Sequence, residues 1–301
     1  MENLQGRVAI ITGAGRGLGR SHALRFAELG AAVVVNDMGG GPDGGGSGTS
    51  PAHEVVEEIT AAGGQAVAHI GSAADWSSGA EMVDIAVKKF GSLDILVNNA
   101  GILRDRTVFN MTEAEFDSVV NVHQKGHFVP TRHATAYWRE QFKAGKHVKA
   151  SIINTSSGAG LFGNTGQTNY AGAKAAIVAM TIVAARELER YGVRANVIAP
   201  AARTRLTLQT PGMGDRLEEE VKKAGFDSWA PENVTPLVAW LAQADCPANG
   251  QIFTSRGGHI GLIQGFTEAE AFDKDGRWTE DELDTALAGV PTAPPAFATS
   301  I

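Results

Sequence analysis

A chain of 301 residues, 43 % hydrophobic and 20 % charged, has the balance of a globular protein, which excludes a disordered or membrane-embedded one. Its formal charge of -7, with no clustered basic segment, argues against a nucleic-acid surface, and Cys246, the sole cysteine, rules out an internal disulfide or a thiolate metal cluster. No apolar run reaches the ~18–20 residues of a membrane span, and "MENLQGRVAIITGAG" has neither a basic leader nor a long apolar stretch, so a cytoplasmic location is expected.

Along the chain, β-branched apolar runs recur at roughly 30-residue intervals. They are "RVAIIT", "AAVVVND", "QAVAHI", "LDILVNN", "ASIINTS", "RANVIAP" and "GQIFTS". Near-continuous apolarity marks strands buried on both faces. Helical patterns lie between them. Ser50 and Pro51 open one that Gly63 closes, and Thr112 with Glu115 forms a capping box. The alternation predicts an α/β fold: a single doubly wound, Rossmann-type parallel sheet of about seven strands flanked by helices.

Two stretches break the rhythm. "GGGPDGGGSG" after the second strand reads as a flexible surface insertion. Residues 201–230 lack strand signals and follow the sixth strand, where a cover over the ligand crevice is expected. Near the end, "WTEDELDTALAG" reads as a late helix with its own capping box, Thr279 and Glu282. The expected organisation is one domain over 1–260 with an extension over 261–301 packed on it.

The first strand runs into "TGAGRGLGR", where missing Cβ atoms let peptide N–H groups lie against a pyrophosphate at a helix N-terminus. Asp37 ends the second strand, about 20 residues on, where an acid accepts the hydroxyls of an adenosine ribose. That carboxylate favours NAD by repelling the extra phosphate of NADP. Arg16 pulls toward NADP, since its guanidinium is able to grip that phosphate.

In "NYAGAKAAIVAM", Tyr170 and Lys174 fall one helical turn apart on one face. A fixed cation beside the phenol is expected to lower its pKa toward the working range. "IINTSSGAG" places Ser157 at the carboxyl edge of the sheet, thirteen residues earlier.

Through "TGAGRGLG", "NNAG", Asn121 in "VVNVHQKG", Ser157 and "NYAGAK", the chain resembles the short-chain dehydrogenase/reductase family over roughly residues 5–260. The resemblance implies a tetrad in which Tyr170 is the general acid/base. Lys174 would bind the nicotinamide ribose, Ser157 would hold the substrate oxygen, and Asn121 would hold a water relaying protons to Lys174. Ser157 rather than Ser156 fits the family spacing to the tyrosine. Gly13, Arg16, Gly17, Leu18 and Gly19 would form the pyrophosphate loop and Asp37 would hold the ribose. Asn98, with Ala100 and Gly101, would lie beside the adenosine. The family's aspartate after the third strand is Gly71 here, followed by Ser72, so adenine contacts would rest on backbone groups. After Pro200 the usual glycine is Ala201, and Thr204 is the residue expected near the carboxamide.

Finer details, "VVVNDMGGG", "NNAGILRDR", "GNTGQTNYAGAK" and "WTEDELDTAL", look like the D-specific 3-hydroxyacyl-CoA dehydrogenase units of type 2 multifunctional enzymes, a subgroup that includes 17β-hydroxysteroid dehydrogenases. That likeness implies oxidation of a secondary alcohol on a bulky apolar substrate, a CoA thioester or a steroid, with Leu103, Phe162 and Leu206 as pocket walls. It also implies a homodimer or homotetramer. The alternatives are an NADPH-dependent 3-oxoacyl reductase and a non-catalytic dinucleotide sensor. A metal site is not expected: "HQKGH" spaces His123 and His127 like a zinc helix, but Gln124 stands where a general base is needed, so both read as helix-surface histidines.

Overall fold

The computed structural model describes residues 4–39, 50–204, 221, 225–265 and 267–291. Each apolar run of the sequence forms a strand: β1 (Val8–Thr12), β2 (Ala32–Asp37), β3 (Gln65–Ile70), β4 (Ile95–Asn98), β5 (Ala150–Thr155), β6 (Val193–Pro200) and β7 (Ile252–Arg256). They pair in parallel in the order β3-β2-β1-β4-β5-β6-β7. The order reverses between β1 and β4. At that switch point the crossover helices leave to opposite faces and open a crevice beyond the strands' carboxyl ends.

An eighth strand, β8 (His259–Ile263), adds antiparallel to β7 through a two-residue turn, Gly257 and Gly258, where Gly257 takes a φ of 54°. The sheet therefore continues past residue 260. β8 escapes sequence reading because its residues are largely exposed or half-buried and lack the continuous apolarity of the others.

The helices are α1 (Gly17–Glu28), α2 (Pro51–Ala61), α3 (Trp76–Phe90), α4 (Glu113–Val120), α5 (Gly126–Lys143), α6 (Gly158–Phe162), α7 (Thr168–Leu188), α8 (Thr235–Leu241) and α9 (Glu280–Ala286). On one face of the sheet Phe26, Val55, Ile59, Leu237 and Leu241 pack on β1, β2 and β4. On the other, Met82, Ala134, Trp138 and Ala185 cover the alternate strand residues. The Trp138 indole N–H donates to the Leu93 carbonyl at 2.6 Å, which satisfies its buried polar end. The capping boxes at Thr112 and Thr279 both form, and α9 has no buried residue. Among the described residues no helix is long and apolar enough to cross a membrane.

Between α4 and α5 the chain widens into a π-turn, Asn121–Lys125, in which Gly126 N–H reaches back to the Asn121 carbonyl. Such wide turns occur often at functional sites because they re-aim the side chains that follow.

α1 docks on α8 partly through a polar contact: His22, wholly buried, lies with Nδ1 2.9 Å from Thr235 Oγ1, which also meets Ser21 Oγ at 2.9 Å. Burial pushes the His22 pKa from 6.5 down to about 3, so the folded chain keeps the ring neutral while the unfolded chain protonates it. The stability it contributes is complete above pH 6.5 and is lost as pH falls from 6.5 toward 3. Denaturant unfolding across that range is expected to show a shallower pH slope for His22→Asn than for the wild type, and equal slopes would contradict this account.

Candidate active site

The loop between β1 and α1 is built for close approach. Gly17 has a φ of 54°, and a Cβ on Gly19 would stand 2.2 Å from the Gly13 carbonyl oxygen, so neither position tolerates a side chain. Arg16 is the extended N-cap of α1 but makes no side-chain cap, which leaves the first-turn N–H groups for another acceptor. Leu18 is half-buried beside them and the Arg16 side chain is exposed. Asn99 braces the loop: its Nδ2 donates to Thr12 O at 3.2 Å and Gly13 O at 3.3 Å, while Thr12 Oγ1 accepts from the N–H groups of Asn99 and Ala100.

Asp37 is fixed against this loop. One carboxylate oxygen accepts from Gly15 N–H at 3.0 Å and the other from Gly39 N–H at 2.9 Å. A carboxylate has about four lone-pair sites, so two remain for ribose hydroxyls. Uncapped N–H donors, a loop that excludes Cβ atoms and a rigid anion 22 residues downstream of Gly15 together fit an adenine dinucleotide.

Other predicted contacts fall differently. The Asn98 side chain is fully buried, and its Nδ2 donates to Thr131 Oγ1 at 3.0 Å and Asn154 Oδ1 at 2.8 Å. Strand alternation explains this, since in "NNAG" Asn98 ends β4 pointing to the α5 side and Asn99 points to the loop. Ser72 Oγ accepts from Ala74 N–H at 3.2 Å, and the Gly71 carbonyl accepts from Asn36 Nδ2 at 2.9 Å. Pro200 ends β6, and a Cβ on Gly17 would meet Thr204 Cγ2 at 3.4 Å, which puts Thr204 over the phosphate loop.

Tyr170 and Lys174 lie one turn apart near the start of α7, with the Lys174 ammonium 5.6 Å from the Tyr170 ring centroid. The surrounding small residues have a packing reason. α6 crosses α7 so tightly that a Cβ on Gly160 would stand 2.6 Å from Lys174 Cβ. The Ser157 side chain lies close enough to the Tyr170 phenol to lower its pKa, and it caps α6 by accepting from Ala159 N–H at 3.2 Å. Ser156 turns the other way and donates to the Lys174 carbonyl at 2.8 Å.

Lys174 is 3 % exposed and its Nζ donates to the Thr155 carbonyl at 2.6 Å. The expected lowering of the tyrosine pKa is reversed in this geometry. Burial pushes Tyr170 up to about 12, opposed by the Ser157 hydrogen bond and helped by the negative charge of Asp105. Burial alone pushes Lys174 down to about 7. Desolvation dominates both groups because the charged form of each loses its water.

Asn121 opens the π-turn and is exposed. His123 and His127 are not surface residues, as the spacing suggested: each is 1 % exposed. The π-turn rotates both rings inward, and His123 packs edge-on against Tyr170, with centroids 5.0 Å apart at 88°. Burial holds the His123 pKa well below its usual value and takes that of His127 down to about 3, with the Lys174 charge lowering both further. Sequence spacing alone misses this, since a regular helix would space them differently around its axis.

On the substrate side, Leu103 and Phe162 are half-buried. Leu206 lies outside the described residues, as does most of the glycine-rich insertion.

The family described as short chain dehydrogenase matches residues 7–209. The hydroxyacyl-CoA dehydrogenase ChsB1 of Mycobacterium tuberculosis is 45% identical over 95% of this chain and 88% of its own length. The peroxisomal multifunctional enzyme type 2 of Drosophila melanogaster is 44% identical over 84% of this chain, which spans only 39% of that longer protein. The crystal structure of a short chain dehydrogenase from Mycobacterium avium superposes with a TM-score of 0.85 at 49% identity, covering 97% of this chain and 98% of that one. Matching in fold and in sequence over nearly its whole length, the chain belongs to the short-chain dehydrogenase family and is an oxidoreductase acting on CH–OH groups through a nicotinamide dinucleotide.

Proposed function

We propose that the chain oxidises the secondary hydroxyl of a 3-hydroxyacyl-CoA, with a hydroxysteroid as the competing substrate, and that NAD is its hydride acceptor. The observation that carries this reading is the buried Tyr170 phenol, with the Ser157 side chain acting on it and the Lys174 ammonium 5.6 Å from its ring one turn away. The naming of the mycobacterial relative as a hydroxyacyl-CoA dehydrogenase supports the acyl-CoA class. Among the described residues, Leu103 and Phe162 supply apolar surface suited to an acyl chain.

When bound, NAD supplies the hydride acceptor and a positive ring. Gly13, Gly17, Gly19 and the first turn of α1 would hold its pyrophosphate, Asp37 the adenosine ribose and Lys174 the nicotinamide ribose. Ser157 orients the substrate oxygen, and Tyr170 takes the hydroxyl proton as general base or returns it to a ketone as general acid. Asp37 supports NAD because a rigid carboxylate at the ribose edge opposes a second anion there. Exposed Phe116, Phe128 and Val183 on α4, α5 and α7 support a homo-oligomer joined through these helices. Buried Cys246, alone in the sequence, supports a reducing compartment such as the cytoplasm.

Tyr170→Phe is expected to lower turnover by about 10²- to 10⁴-fold while NAD binding, followed by fluorescence, stays at the wild-type level. Retained turnover would remove the acid/base from the mechanism. Because the phenol is pushed up to about 12, alcohol oxidation, which needs the phenolate, should accelerate as pH rises through the alkaline range, while ketone reduction, which uses the protonated phenol, should stay level. A kcat/KM profile that is flat above neutrality contradicts this. Asp37→Ala should shift the NADP-to-NAD rate ratio upward by about tenfold, the size of one charge contact largely screened by water. A wild type already faster with NADPH, in the reducing direction, would favour the 3-oxoacyl reductase instead. Parallel assays with 3-hydroxyacyl-CoA thioesters and free hydroxysteroids decide between the two substrate classes.

A further inference from the structure

His123 sits in a slot shaped for it. Its Nε2 lies 2.7 Å from the Ile102 carbonyl oxygen and 3.1 Å from the Ile102 amide nitrogen. With the proton on Nε2 the ring donates to the carbonyl, and with the proton on Nδ1 it accepts from the amide, so either tautomer stays docked on the same peptide. The slot exists only because residue 101 is glycine: a Cβ there would stand 2.5 Å from His123 Cε1. Gly101 does not have a positive φ, so space rather than backbone conformation demands glycine.

The far side of this fixed ring meets Tyr170 at 5.0 Å and 88°, an edge-to-face contact of the kind aromatic pairs prefer. Asn169, the residue before Tyr170, is also buried, and its Nδ2 donates to the carbonyls of Arg104 and Glu115 at 3.0 and 3.1 Å. The start of α7 is thus tied to the segment after β4 on one side and faced by His123 on the other.

We propose that His123 is the positioning residue for Tyr170: docked on Ile102 through the notch at Gly101, its ring fixes the angle at which the phenol faces Ser157 and the substrate oxygen. This inference rests on the oxidoreductase reading above and deepens it. A ring is needed because the contact must be stiff and flat. A histidine serves because its polar edge pairs with the half-buried Ile102 peptide, a contact that phenylalanine lacks. The titratable groups around the pair are Lys174 on α7, the neutral His127 on α5 and Asp105 beyond β4. With the imidazole kept neutral by burial, no second cation competes with Lys174.

The test uses full-length enzyme with NAD and a medium-chain 3-hydroxyacyl-CoA, comparing wild type, Tyr170→Phe, His123→Ala, Gly101→Ala and the double variant His123→Ala/Gly101→Ala. His123→Ala and Gly101→Ala are each expected to lower kcat roughly 10- to 100-fold, and His123→Ala to keep KM and the NAD dissociation constant near wild type, the effect of a misplaced reacting group. The double variant should be no slower than His123→Ala, because the added methyl then has no ring to displace. In His123→Ala the rise of kcat with pH should move to lower pH, since water reaching the phenol relieves the burial that raises its pKa. Wild-type kcat and an unmoved pH profile in His123→Ala, or additive losses in the double variant, overturn the inference. Should His123→Ala prove insoluble, wild-type kcat in Gly101→Ala overturns it alone. An active wild type with inactive Tyr170→Phe leaves the oxidoreductase reading standing whatever His123 does, whereas a wild type that binds NAD but oxidises no alcohol defeats that reading first.

Discussion

The bond from Lys174 Nζ to the Thr155 carbonyl, 2.6 Å long and closed to water, fixes α7 over the end of β5. An amine placed there loses its hydration, and its pKa falls to about 7. The arrangement requires α7 to lie very close to the strand and to α6, and the small residues around the tyrosine and lysine meet that requirement. Ser156 adds a second tie between the same elements through the Lys174 carbonyl. The Tyr170–Ser157 pair is therefore held from behind, by the lysine and its packing.

Parallel strands buried on both faces produce apolar runs long enough to read directly, and all seven such runs form strands. The glycine loop, Asp37 and the tyrosine–lysine spacing were equally legible, because each is a local pattern whose chemistry depends on neighbours a few residues away. What stayed hidden depends on orientation across elements. β8 is an edge strand with an exposed face and lacks the signature of its neighbours. Asn98 and Asn99 look equivalent in sequence, yet the pleat sends one into the core and the other onto the phosphate loop. His123 and His127 looked like surface residues because a spacing of four implies a regular helix. The π-turn beginning at Asn121 changes the phase at that point, and no composition or spacing signals it.

The proton affinities of the site bear on how it works in either direction. A free phenol is a stronger acid than a free ammonium by very little, about 0.4 unit at ordinary pKa values near 10.0 and 10.4. In this chain burial separates them, raising the phenol to about 12 and dropping the amine to about 7. Desolvation acts oppositely on the two because the phenol becomes charged when it loses a proton and the lysine when it gains one. The neutral pair is thus the favoured resting state around and above neutrality: phenol protonated and poised to donate, amine free to accept. Reaching the phenolate that alcohol oxidation requires means bringing positive charge or hydrogen-bond donors to the ring's oxygen, and Ser157 is the donor already in place. Since the neighbouring imidazoles are held neutral, the cation on which this depends is Lys174 itself, whose protonation any acceptor oxygen brought near Nζ makes easier. In the proposed mechanism dinucleotide binding and tyrosine activation meet at that one nitrogen, whose position is fixed by a backbone carbonyl rather than by another side chain.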